Sequence, residues 1–126
     1  MITLIEQTKA HVIAFEIING YTRDDEHSLE KLFEQRLDLG IQKVNMLIKI
    51  SELHLMKSSF KAIWQDGIYA LKHLKYCGRI AVVGDSKLEE VLSKADNMFF
   101  GNKKEGREER FFYEHHIAEA LDWVNG

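Results

Sequence analysis

The stretch Arg79-Ile80-Ala81-Val82-Val83-Gly84-Asp85-Ser86 decides the fold. An unbroken apolar run closed by Gly-Asp-Ser predicts a strand buried on both faces that leads straight into a helix cap. Such strands belong to parallel sheets, whose crossovers are usually helices. On its C-terminal side, Ser86 and Glu89 have the spacing of a capping box, and Leu88, Val91, Leu92 and Ala95 form the inner stripe of a helix. On its N-terminal side, Phe60, Ile63, Trp64, Gly67, Ile68 and Leu71 keep helical spacing from a start near Ser58 or Ser59. Lys72, His73 and Lys75 fall in the last turns of that helix, where cations suit the dipole.

Further from this centre the pattern repeats. Val44, Met46, Ile48 and Ile50 share one face of a strand. Leu29, Leu32, Phe33 and Leu37 form a helical stripe between a Thr22/Asp25 cap and a stop at Gly40. His11 to Ile18 alternates as a strand, with a turn at Asn19-Gly20, and Ile2 to Ile5 is a shorter strand. At the other end, Arg110 to Tyr113 is a strand, and Ile117, Leu121 and Val124 line a final helix. The expected architecture is α/β: a single domain with a mixed, mostly parallel sheet of about five strands and four helices. The first two strands are expected to pair antiparallel.

The bulk properties agree. A chain of 126 residues holds one domain with a real core. It has no proline, no repeat and no low-complexity tract; the charged stretch from Gly101 to Glu109 is a surface loop rather than a linker. A net charge of −3 argues against a nucleic-acid partner, which calls for a basic face. The single cysteine, Cys77, forms no internal disulfide and fits a reducing cytoplasm. No signal-peptide pattern opens the sequence, and no segment approaches the roughly 20 apolar residues of a membrane span.

Four stretches carry a family resemblance: Val12-Ile13-Ala14-Phe15-Glu16-Ile17, the Trp64 helix to Leu71-Lys72-His73, Arg79 to Asp85, and Ala120-Leu121-Asp122-Trp123-Val124. Taken in order, they resemble the SpoIIAA-like family of the STAS-type fold. The resemblance implies a non-catalytic regulatory or binding domain. In STAS-type anti-sigma antagonists a serine at the start of the second helix accepts phosphate. The matching serines here are Ser58 and Ser59, in Met56-Lys57-Ser58-Ser59-Phe60, without the acidic residue before them or the glycine after them. The family is also similar to lipid-carrying CRAL-TRIO domains, which implies an apolar ligand held against the sheet.

Each candidate residue has a plainer role beside its functional one. Ser58 and Ser59 stand at a helix N-terminus, where backbone N–H groups favour an anion, or one of them is simply the cap. Asp85 ends a parallel strand, where open α/β sheets take ligands, or it is a turn residue. Lys49 lies across its strand from Met46 and Ile48; it either neutralises a ligand headgroup or is a solvated strand end. Phe60 and Trp64 line a pocket under a movable helix, or pack the core. Phe99 and Phe100 beside Lys103 and Lys104 suit an anionic membrane surface, or fold back on the domain. His73 and Cys77 would share a helix face if the helix reached Cys77; otherwise the cysteine is buried and inert. His115 with Glu119 is one ligand pair, too few for a metal.

No catalytic constellation and no cofactor motif emerges, so a binding role leads: a protein partner, or a small apolar or anionic ligand. A lipid carrier or membrane-peripheral sensor and a serine phosphoswitch are the alternatives. A homodimer would hide the sheet edges of so small a domain.

Overall fold

The structure is a computed structural model and describes residues 1–6, 8–51, 62–68, 71–94 and 107–126. Five strands form one sheet in the order of the sequence: β1 (Ile2–Leu4), β2 (Val12–Ile17), β3 (Val44–Ile50), β4 (Cys77–Gly84) and β5 (Glu108–Tyr113). β1 pairs antiparallel with β2, and every later pair is parallel. The helical elements are α1 (Arg23–Asp38), a π-helical turn (Ile63–Ile68), α2 (Ser86–Lys94) and α3 (Ile117–Asn125), with short 3-10 turns before β4 and α3. The mixed, mostly parallel sheet and the helical complement match the expectation.

Strand order explains the layering. When parallel strands are added always on the same side, right-handed crossovers place every connecting helix on one face. That face holds the larger core. Phe15, Ile17, Met46, Ile48, Ile80 and Val82 from the sheet meet Leu29 and Phe33 of α1, Trp64 and Ile68 of the π turn, and Leu88 and Leu92 of α2. The other face is covered by α3, which follows the last strand and folds back. Ala120 and Val124 close it over Val12, Ala14, Leu47, Ala81, Val83 and Phe112. Ile80, Ala81, Val82 and Val83 therefore alternate between two cores, which is why the strand reads as continuously apolar.

Local rules set most helix starts. Thr22 and Asp25 form a complete capping box: Asp25 N–H donates to Thr22 Oγ1 at 3.2 Å and Thr22 N–H donates to Asp25 Oδ2 at 2.8 Å. At α2 the cap is one residue earlier than expected. Asp85, rather than Ser86, accepts the Leu88 N–H at 3.0 Å, and Ser86 is the first helical residue. An ionised carboxylate accepts a backbone N–H more strongly than a neutral hydroxyl does, so Asp85 takes the cap.

Asp25 also gives an acid-stability prediction. Burial pushes its carboxyl up, but hydrogen bonds from the Thr22 N–H and hydroxyl, with the Met1 ammonium 3.2 Å away, outweigh this and hold it below the usual carboxylate range. A carboxyl depressed by folding adds stability above its unfolded value of about 3.9 and loses it as pH falls through the folded one. Urea midpoints measured from pH 6 to pH 2 should therefore fall less steeply below about pH 4 in Asp25→Asn than in the parent chain.

The segment before β4 departs from the expected single helix. Helical spacing from Ile63 to Leu71 becomes a π turn, a bend near Lys72 and a 3-10 turn at Leu74–Tyr76. β4 then begins at Cys77. His73 and Cys77 consequently share no helical face. Cys77 is fully buried, and burial pushes its thiol up to about 12. His73 instead turns to α1, where its Nδ1 pairs with Glu30. The other Glu30 oxygen accepts the Lys72 N–H at 2.6 Å. The buried carboxylate is thus satisfied by the bend that replaces the helix end.

Candidate functional site

The corner between β2 and α1 is built by a turn through Asn19 and Gly20, both with left-handed φ. It delivers Tyr21 to the position before the Thr22 cap. An apolar residue there often packs against an apolar residue four positions beyond the cap, fixing how the chain enters the helix. Here that later position is Glu26.

Tyr21 instead packs against the π turn. A Cβ built on Gly67 would lie 2.5 Å from Tyr21 Cε1 and 2.8 Å from Cδ1, so the ring rests on bare backbone. No side chain larger than hydrogen fits at Gly67 unless the ring moves. π turns are rare and are frequent at functional sites.

Between these elements lies a crevice of about 250 Å³, lined by Tyr21, Thr22, Arg23 and Glu26 from the corner and by Ala62, Ile63 and Gly67 from the π turn. It sits at the carboxyl end of the sheet, the end at which open α/β folds take ligands. The Tyr21 hydroxyl is buried and has no hydrogen-bond partner among the described residues. Burial, followed by the negative charges of Glu26, Asp25 and Glu30, drives its acidity well down, so the phenol stays protonated. A wider hollow of about 630 Å³ lies around Glu6, Thr8, Lys9, Asp122, Asn125 and Gly126. Across it the Lys9 N–H donates to Asn125 Oδ1 at 2.9 Å.

An unpaired buried hydroxyl costs stability. Tyr21→Phe is therefore expected to leave the thermal midpoint unchanged or to raise stability by up to about 1 kcal/mol. A drop beyond that would mean that the hydroxyl has a partner in solution.

The residues singled out from the sequence do not converge on this crevice. Trp64 belongs to the same turn but faces the core, 1% exposed. Asp85 is at the right end of the sheet, yet its carboxylate is occupied as the α2 cap. Lys49 alternates with Ile48 and Ile50 and so points to the α3 face, where it pairs with Glu16 across the strands at 3.3 Å. Glu16 also accepts the Ser51 hydroxyl at 2.7 Å. Lys49 and Trp64 thus sit on opposite faces of the sheet. Ser58, Ser59, Phe60, Phe99, Phe100, Lys103 and Lys104 lie outside the described residues. His115 and His116 are exposed with rings 4.1 Å apart, and the described residues contain no group of three or more potential metal ligands. Among the described residues, no helix is long and apolar enough to cross a membrane.

Tyr21 and Glu26 were missed because each falls in a local motif that explains it away, a turn and a helix first turn. The available signal was a carboxylate at the position where the helix entry calls for an apolar partner to Tyr21.

A sequentially ordered mixed sheet, with its crossovers on one face and a returning helix on the other, defines the class: a small α/β module of the STAS type. The family model for SpoIIAA-like proteins matches residues 12–125, and the chain belongs to that family. A solved structure similar to it is an uncharacterized protein of the DUF3478 family with a SpoIIAA-like fold from Shewanella loihica PV-4. The two share 28% identity and a TM-score of 0.62, over 98% of this chain and 92% of that one. Comparison with curated proteins finds no match.

Proposed function

We propose that this chain is a non-catalytic binding module whose crevice between Tyr21 and Gly67 holds a small ligand. The observation that carries the reading is the Tyr21 hydroxyl, buried without a partner beside a π turn at the ligand-binding end of the sheet. Membership in a family of STAS-type modules supports it. Size narrows the choice of ligand. A volume of about 250 Å³ equals that of roughly eight waters, which suits a small molecule better than a diacyl lipid.

Native mass spectrometry of the purified chain, followed by a denatured run of the same sample, tests the reading. An added mass below that of a lipid, lost on denaturation and absent from Gly67→Val, is the expected result. A bare native mass from several expression hosts would shift the reading to a protein partner. A mass that survives denaturation would be covalent, and a phosphate on Ser58 or Ser59 would favour the phosphoswitch.

A further inference from the structure

The crevice is lined by one carboxylate, Glu26, and one cation, Arg23. A helix N-terminus usually attracts anions through free N–H groups. At α1 those groups face an acidic first turn of Asp24, Asp25 and Glu26, and the capping box is closed from both sides. A phosphate or carboxylate entering here would meet the Glu26 carboxylate and a helix start whose Asp25 N–H is already taken by Thr22.

Glu26 is the carboxylate of this turn that lines the crevice. Asp25 is held by Thr22 and the Met1 ammonium, and Glu30 by His73 and the Lys72 N–H. The Glu26 carboxylate lines the crevice, is half-buried, and has no hydrogen bond or ion pair among the described residues. Stability alone would place an apolar side chain there to pack on Tyr21. A partly desolvated carboxylate beside an aromatic ring instead makes the pair that recognises ammonium groups, through charge-assisted hydrogen bonds and attraction to the ring face. Arg23, the cation that also lines the crevice, is exposed at the first helical residue, where water and salt screen it.

We propose that the crevice takes a small molecule carrying a protonated amine on a short apolar body. The ammonium pairs with Glu26 and lies against the Tyr21 ring, while the body rests on Ala62, Ile63 and the Gly67 backbone. This rests on the crevice being the ligand site, and it adds the class of ligand.

The test is an amide-resolved NMR titration of the full chain with three probes of matched length: hexylamine, hexanol and hexanoate. Hexylamine should saturate shifts at Tyr21, Glu26, Ile63 and Gly67, with an affinity at least about tenfold above the other two, the usual effect of one charge-assisted hydrogen bond. Glu26→Gln should weaken hexylamine about tenfold or more and leave hexanol unchanged. A circular dichroism melt establishes that this half-exposed substitution folds. Hexanoate or hexanol binding as tightly as hexylamine at the same residues would overturn the amine preference and leave the crevice as a ligand site. So would an unchanged hexylamine affinity in Glu26→Gln. If none of the probes shifts these residues, both the preference and the crevice reading fail.

Discussion

Replacing Trp64 with alanine is expected to lower the unfolding free energy by about 3–5 kcal/mol. The indole is among the largest fully buried side chains and belongs to the core between the sheet and its crossover helices. Its removal loses apolar transfer energy and leaves a cavity that a sheet backed by α1 and α2 closes only in part. A domain of this size has about 5–15 kcal/mol in total, so the variant should approach the limit of folding at 37 °C. Urea denaturation followed by tyrosine fluorescence and circular dichroism would measure the change, with an unchanged slope marking a true stability effect. A loss below about 1 kcal/mol would take Trp64 out of the core and return it to the pocket role that its sequence position also allows. Tyr21→Phe provides the contrast. Trp64 belongs to the π turn and Tyr21 packs against it; one holds the domain together and the hydroxyl of the other is buried at a cost to stability.

That contrast shows how far the sequence could be read. The strand from Ile80 to Val83 was legible because burial on both faces leaves no polar position in it. The Thr22/Asp25 cap was legible because its partners are three residues apart. The Asp85 cap was nearly legible: two adjacent capping residues compete, and only the path of the chain decides between them. The π turn was not legible. Ile63, Trp64, Gly67 and Ile68 satisfy a helical stripe equally well in either winding, and what distinguishes them is the Tyr21 ring from a distant corner. The crevice was hidden for the same reason, since it joins the β2–α1 corner to a segment after β3. Lys49 was placed on the correct side of its strand by alternation, but its partner Glu16 comes from the neighbouring strand, whose register sequence alone does not supply.

Asn45 is a second side chain that sequence reading passes over, and Asn45→Leu should cost about 2–4 kcal/mol. The residue is 7% exposed, in a strand whose other face is wholly apolar. Its Nδ2 donates to the Val124 carbonyl at 2.7 Å, and its Oδ1 accepts the Arg79 N–H at 2.8 Å. The second bond bridges the irregularity where β3 and β4 lose register near Val44 and Met46. A Cβ on Gly78 would come within 2.8 Å of the same oxygen, so a bare residue at that point lets the amide close in. Arg79 reinforces the arrangement by donating to the Trp123 carbonyl at 2.7 Å, with its guanidinium over the Trp123 ring. Together they satisfy carbonyls in the last turn of α3, where the Trp123 carbonyl also accepts the Gly126 N–H at 3.4 Å. Leucine keeps the branching of asparagine and is larger, so the loss reports two orphaned polar groups in a site that is filled rather than a void. Hydrogen exchange should localise it, with the amides of α3 losing protection ahead of those in β2. A stability within about 0.5 kcal/mol of the parent would mean that water replaces the amide and that α3 is held by Ala120 and Val124 alone. Because α3 covers the face of the sheet away from α1 and the π turn, any binding of hexylamine at Glu26 should survive Asn45→Leu at temperatures where the variant remains folded.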